Sequence, residues 1–187
     1  MGFHTFDADK AGRLEDAARR YRSVSREELL GALEPTGSET VADLGSGTGF
    51  YTDDVAPYAG RVYAVDIQPE MHEFYREKGV PENVDLVTSS IEELPFDDDE
   101  LDGAVSTMTY HEFASDNSLA ELARVLRPGG RLVVADWSAD GEGESGPPVD
   151  ERYSASEAAA ALEAAGFEIE TEQSRVETFV VVAVRAE

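Results

Sequence analysis

Three glycines at alternate positions, Gly45, Gly47 and Gly49, follow the acid Asp43 in the stretch "VADLGSGTGFYT" from Val41 to Thr52. Glycine carries no Cβ, so backbone of this kind can lie close against a ligand. A second apolar run, "VYAV", ends in Asp66, where a carboxylate can accept hydrogen bonds from both hydroxyls of a ribose. Further on, "STMTYHEF" places His111 after another apolar run. Histidine exchanges protons near neutral pH and can act as a general base. Its alternative here is a structural histidine bonded to a loop carbonyl. Tyr110 beside it is a second catalytic candidate, with packing as the competing role. The chemistry on offer is nucleoside binding with one acid–base group.

Which nucleoside depends on details of the loop. The dinucleotide fingerprint G-x-G-x-x-G needs glycine at the sixth position from Gly45, and Phe50 stands there. The phosphate-binding G-x-x-x-x-G-K-[ST] is missing as well. Asp43 would repel a pyrophosphate, whereas a cofactor with an ammonium and a sulfonium would be welcome. S-adenosylmethionine meets that description.

These residues need a scaffold that brings strand ends together. From Thr40 onward, β-branched runs ("TVADL", "RVYAVD", "VDLVTS", "LDGAVS", "GRLVVADW") alternate with helical stretches at 50–58, 69–78 and 117–126 and a short turn near 91–94. Such alternation predicts right-handed crossovers and a parallel sheet covered on both faces. An Ala-rich helix over 156–165 follows, stopped by Gly166. The last two strands, "FEIETEQSRV" and "TFVVVAVRAE", are joined too closely for a crossover and must be antiparallel. Ahead of the sheet, residues 12–34 read as one helix. The expected organisation is a single α/β domain over 1–187, with a helical extension over 1–37 and the cofactor-binding core over 38–187.

"VADLGSGTGFYT", "VYAVDIQPEM", "SSIEELPFDDDELDGAVS" and "LARVLRPGGRLVVADW" occur in this order and spacing. In them the chain resembles the class I S-adenosylmethionine-dependent methyltransferases, and within these the small type 11 branch that includes quinone-methylating enzymes. The resemblance implies a doubly wound, Rossmann-like sheet of seven strands in the order 3-2-1-4-5-7-6, strand 7 antiparallel. It implies that Gly45, Ser46, Gly47 and Gly49 lie against the methionine and ribose portions, with Asp43 near the amino group. Asp66 would hold the ribose, with Ile67 beside the adenine. Ser90 and Ile91 fill a place where the family often has an acid and a small apolar residue. Backbone around Thr107 would complete the pocket. After the fifth strand, Trp137, Arg152 and Tyr153 are candidates for acceptor contact, against core-edge packing for Trp137 and a surface ion pair for Arg152. Arg19, Arg20 and Tyr21, on the N-terminal extension, are candidates for the acceptor or the cofactor carboxylate. His4 receives no role.

Composition narrows the acceptor and the setting. The chain has no cysteine, which removes disulfides, thiolate nucleophiles and cysteine metal sites. "DDDE" at 97–100 reads as a solvated turn, so no metal is expected. No apolar run reaches the roughly 20 residues that span a bilayer, and the N-terminus lacks the apolar core of a signal peptide. A cytoplasmic location is therefore expected. No basic cluster with interleaved aromatics is present apart from the short "RRYR", so a nucleic-acid acceptor is disfavoured and a small molecule expected. The rival readings are a cofactor-binding or partner-activating subunit without catalysis, and a nicotinamide-dependent oxidoreductase, which would need the missing glycine and a substrate domain.

Forty acids stand against fifteen basic residues, a formal net charge of -25, and the acids are spread along the chain. Repulsion of this kind is screened in strong salt, where the Debye length falls to about 3 Å at 1 M. This predicts a salt-adapted protein. Its melting temperature should climb steeply between dilute buffer and molar KCl, measured by thermal denaturation. A flat profile would remove salt adaptation as the explanation of the composition.

Overall fold

The computed structural model describes residues 8–187, and His4 lies outside the described residues. A 3-10 segment, Ala8–Glu15, leads into helices α1 (Ala17–Ser23) and α2 (Arg26–Leu33). There follow β1 (Thr40–Leu44), α3 (Phe50–Val55), β2 (Arg61–Asp66), α4 (Pro69–Lys78), β3 (Val84–Thr88) and β4 (Leu101–Thr107). Then come α5 (Tyr110–Phe113), α6 (Asp116–Val125), β5 (Leu126–Trp137), α7 (Ala155–Ala164), β6 (Phe167–Ser174) and β7 (Thr178–Arg185).

The seven strands form one sheet in the order β3-β2-β1-β4-β5-β7-β6. β7 runs antiparallel to both its neighbours, while β1 to β5 pair in parallel. The expected architecture is thus the observed one. Apolar side chains alternate between the faces, as the period of a strand requires. Leu44, Ala104, Leu132 and Phe179 pack under α6 and α7, against Leu119, Leu122 and Leu162. Val41, Val105, Val133 and Val182 pack under α2, α3 and α4, against Leu29, Tyr51 and Tyr75. The outer strand β6 carries Glu168, Glu170 and Glu172, charges that discourage pairing with a further strand.

Helix boundaries follow local chemistry. Ser25, Ser115 and Ser154 each accept the amide hydrogen of the third residue on, and Ser154 with Glu157 completes a capping box. The single helix expected over 12–34 is broken into three pieces. Asp16 caps the amide of Arg19 at 3.2 Å, and Val24 is extended, so each short piece restarts from its own cap. The stretch expected to be helical over 50–58 leaves the α conformation at Val55, and Pro57 sits in the 3-10 turn that follows. The fifth strand begins earlier than the turn residues suggest. Leu126 already pairs with Leu101, Pro128-Gly129-Gly130 bulges out, and pairing resumes at Arg131 with Gly103.

The glycine loop lies at the carboxyl end of β1, where the chain turns to β2 on one side and β4 lies on the other. That is the topological switch point at which open α/β sheets bind ligands. α1 and α2 are fastened over this end of the sheet. The Tyr51 hydroxyl lies 2.8 and 2.9 Å from the carbonyls of Arg20 and Val24. Tyr21 bonds to Asp54, and Arg175, between β6 and β7, donates to the Ser23 carbonyl and pairs with Glu28.

Candidate active site

A cleft of about 1070 Å³ opens along the carboxyl ends of β1, β2 and β4 and continues past the end of β5. Gly45, Ser46, Gly47, Asp66, Ile67, Ser90, Ile91, Thr107 and His111 line it. Strand-end residues from four separate stretches of sequence are therefore brought together around one space.

The loop is built on the end of β2. The amides of Gly45 and Ser46 donate to the Val65 carbonyl at 2.8 and 2.9 Å, and the Gly47 amide donates to Asp66 Oδ2 at 2.8 Å. Asp66 Oδ1 accepts from the Gln68 amide at 2.9 Å, so one carboxylate ties the loop to the start of α4. Two of the glycines are required by the protein's own side chains. A Cβ at Gly45 (φ 73°) would come within 2.6 Å of Thr109, and one at Gly49 (φ 79°) within 2.1 Å of the Tyr75 ring. Gly47 is the glycine whose missing Cβ faces the cover, 3.2 Å from Leu14.

Asp43 and Gly49 stand apart from the other loop residues. Asp43 is 1% exposed and does not reach the cleft wall; it accepts from Thr52 at 2.6 Å, and its Oδ1 has no partner. Burial pushes its pKa up to about 6, against the bond from Thr52 and the field of Arg20. Gly49 is the N-cap of α3, packed under Tyr75. Ile67 lies at the mouth, 60% exposed, a large apolar surface beside the carboxylate of Asp66.

Several buried polar atoms on the cleft lack partners. Ser46 Oγ and Arg20 Nε are buried without a hydrogen bond. The Arg20 guanidinium stands 4.7 Å from the Tyr51 ring centroid and 5.7 Å from that of Phe50. Its pKa is lowered, chiefly by burial, with Tyr51, Asp43 and Glu15 acting the other way. Burial of this cation is only partly offset by those groups, and a ligand anion would relieve more of its cost.

At the other end of the cleft, His111 is held by Asp136, a residue that sequence reasoning did not single out. The His111 amide donates to Asp136 Oδ2 at 2.7 Å, and the ring Nδ1 lies 2.9 Å from the same oxygen. The loop-carbonyl role is therefore replaced by a carboxylate. Burial lowers the imidazole pKa, but the bond and field of Asp136, with Glu112 and Glu151, carry the balance upward. Glu112 was missed too; it lines the cleft with Oε1 at 3.9 Å from His111 Nε2. Burial raises its pKa to about 7. "HE" in sequence gave no sign of this, because the burial that raises Glu112 is set by what packs around α5, and the Asp136 contact depends on β5 lying beside β4. Tyr110 is turned the other way, into the core against Phe113, Tyr153 and Phe179, and does not line the cleft.

Past β5, Trp137 lines the cleft, whereas Arg152 is buried and holds the following loop through the carbonyls of Ser138, Ser145 and Pro147. The ion pair expected for Arg152 is present, with Glu177 at 3.5 Å, but it is buried and not at the surface. Its guanidinium satisfies carbonyls that the loop cannot pair internally. Tyr153 packs on Tyr110. The 97–100 turn is held by Arg124, which pairs with Asp98 at 2.8 Å.

Comparison with known proteins agrees with this geometry. The type 11 family model described as "Methyltransferase domain" matches residues 42–134. A crystal structure of an S-adenosylmethionine-dependent methyltransferase from Aquifex aeolicus is 31% identical, with TM-score 0.84 over 96% of this chain and 98% of that one. An uncharacterized methyltransferase of Mycobacterium tuberculosis is 34% identical over 148 residues, 73% of this chain and 60% of that protein. Demethylmenaquinone methyltransferase of Clavibacter sepedonicus is 30% identical over 137 residues, 70% of this chain and 56% of that protein. The chain thus spans about three fifths of the length of these two relatives. It belongs to the class I S-adenosylmethionine-dependent methyltransferases. Among the described residues, no helix is long and apolar enough to cross a membrane.

The raised pKa of Glu112 makes a stability prediction. The folded chain holds this proton more tightly than the unfolded chain does, since the pKa moves from 4.5 to about 7. Stability from this group is therefore lost as pH rises from about 4.5 through 7. In molar KCl, Glu112→Gln should melt near wild type at pH 4.5 and several degrees above it at pH 8. A melting difference independent of pH would refute the assignment.

Proposed function

We propose that the protein transfers a methyl group from S-adenosylmethionine to a small-molecule acceptor, in a salt-rich cytoplasm to which its net charge of -25 is suited. The observation that carries this reading is the commitment of the loop amides. With the amides of Gly45, Ser46 and Gly47 spent on β2, and Asp43 and Asp66 adjacent, this part of the loop offers a pyrophosphate no free amide and two negative charges. A nicotinamide dinucleotide is accordingly disfavoured, and a cofactor bearing positive charge is favoured.

The residues present fit that cofactor. Asp66 is the ribose ligand and Ile67 the adenine neighbour. Ser90 and Ile91 border the base, and Thr107 borders the pocket floor. The unpartnered Ser46 hydroxyl and Arg20 Nε suit the amino-acid end, Arg20 opposite its carboxylate. The buried charge of Asp43 acts on the ammonium from beneath the loop. When bound, the cofactor supplies an electrophilic methyl group on a sulfonium. The chain's own contribution is alignment, which can carry much of the rate advantage, and a base at His111. The His111–Asp136 pair supports catalysis over a purely binding or partner-activating role. The order and spacing of the four motifs support the quinone-methylating branch.

Calorimetry in high salt should show S-adenosylhomocysteine binding and no heat with NAD. Asp66→Ala should raise the dissociation constant by roughly 10- to 100-fold, as loss of hydrogen bonds to a charged acceptor implies. Arg20→Met should weaken S-adenosylhomocysteine but leave methylthioadenosine, which lacks the carboxylate, unaffected. Binding of NAD in place of S-adenosylhomocysteine would overturn the reading.

A further inference from the structure

Two carboxyl groups frame His111, and they differ in kind. Asp136 is 1% exposed at the end of β5 and accepts the amides of His111 and Trp137, each at 2.7 Å. It therefore grips the backbone and the ring of one residue together, because Nδ1 lies 2.9 and 3.0 Å from its two oxygens. A carboxylate accepts and does not donate, so Nδ1 carries the hydrogen and Nε2 presents its lone pair. That lone pair is at the open end of the ring, on the cleft. Glu112 stands 3.9 Å from Nε2, with its side chain 19% exposed and so in exchange with water.

The cleft that this pair lines carries large apolar side chains among polar ones such as Ser115 and Glu144. Phe113, Trp137, Pro147 and Pro148 line the same cleft. Gly146 (φ 88°) lies so close over Trp137 that a Cβ there would come within 2.5 Å of the indole, so the loop backbone fixes the ring in place. An oriented base on a cleft with these apolar side chains has little to offer an acceptor that is already anionic. It suits one that must lose a proton as it reacts.

We propose that the acceptor is a hydroxyl group carried on an apolar ring, that His111 removes its proton, and that Asp136 positions His111 while Glu112 passes the proton to solvent. The proposal rests on the methyltransferase reading. His111 Nε2 takes the O–H proton as the oxygen bonds to the transferred methyl carbon. The carbon–sulfur bond breaks with its electron pair left on sulfur. The imidazolium then releases the proton, through bridging water, to the Glu112 carboxylate. Burial brings that carboxyl to a pKa of about 7, so it can accept and release a proton near neutrality. The charged groups bearing on His111 are Asp136 from β5, Glu112 from α5 and Glu151 from the 3-10 turn before α7, and all favour the protonated ring once it forms.

The test uses the full chain in molar KCl, with 1-naphthol and 1-naphthalenethiol as matched probes that differ only in the accepting atom. A thiol is ionised enough near neutral pH to react without a base, and a naphthol hydroxyl is not. In Asp136→Asn, transfer of labelled methyl to naphthol should fall about 100-fold and transfer to the thiol less than 10-fold, with S-adenosylhomocysteine affinity retained. Glu112→Gln should shift the pH profile for naphthol alone. Nitrogen-15 spectra of the wild type, taken at a pH high enough to deprotonate the imidazolium, should show a neutral ring protonated at Nδ1, and they decide the matter if Asp136→Asn does not fold. Equal losses on both probes, or a ring protonated at Nε2, overturn the proposal. So does a wild type that binds S-adenosylhomocysteine yet leaves naphthol unmethylated. A wild type that does not bind S-adenosylhomocysteine overturns the underlying reading instead.

Discussion

The end of β2 holds the glycine loop by three successive backbone amides, those of Gly45, Ser46 and Gly47. Val65 offers its carbonyl to Gly45 and Ser46, and Asp66 offers its carboxylate to Gly47. Once those bonds are made, the loop must follow a path with positive φ at Gly45, Gly47 and Gly49. That path brings Gly45 under Thr109 and Gly49 under Tyr75 with no room for a side chain. Met108, just before Thr109, also has positive φ (62°). Backbone in that region is costly for a residue other than glycine and persists where the surroundings enforce it. Here it delivers Thr109 to the loop.

The same bonds bear on the ligand proposed for the cleft. A carboxylate that serves two amides, Gly47 and Gln68, keeps a fixed position and little freedom to move when a ligand arrives. Ribose hydroxyls can share it because a carboxylate has lone pairs to spare. A phosphate cannot, because donors are what it needs. The N-terminal helices complete the site from above. They are held there by a few cations in a chain short of them: Arg175 reaches Ser23 and Glu28, and Lys78 bridges Glu15 and Asp53. Arg20, on the same cover, has no such partner for its Nε. Its guanidinium rests on the aromatic rings of Phe50 and Tyr51, as a cation can.

The reacting end depends on a different contact, between neighbouring strands. β4 and β5 run in parallel with Thr107 beside Ala135, so the residues beyond their ends emerge side by side. α5 begins at that point, and its amide at His111 is free to find the carboxylate of Asp136. The free amide of a helix start seeks an acceptor. Asp136 meets that need and orients the imidazole in one stroke, while Tyr110, one residue earlier, goes to the core.

Much of this protein is determined by its sequence alone. Alternating apolar runs and short connections dictate a parallel sheet with an antiparallel finish, because crossover length and strand pairing leave few alternatives. The loop glycines and Asp66 could be placed at strand ends, on the cleft, because their positions relative to the strands are local facts. What the sequence could not show is anything that joins distant segments. The breaks at Asp16 and Ser25 escape a periodicity reading, since a cap competes locally with a pattern summed over several turns. Asp136 and His111 are separated by 25 positions, as Thr109 and Leu44 are by 65, and Arg152 looked like a surface residue until its carbonyl partners surrounded it. Only the tertiary structure decides such matters. Burial, which raises Glu112 and Asp43 towards neutrality, is a property of what surrounds a residue in space and is absent from the order of the chain.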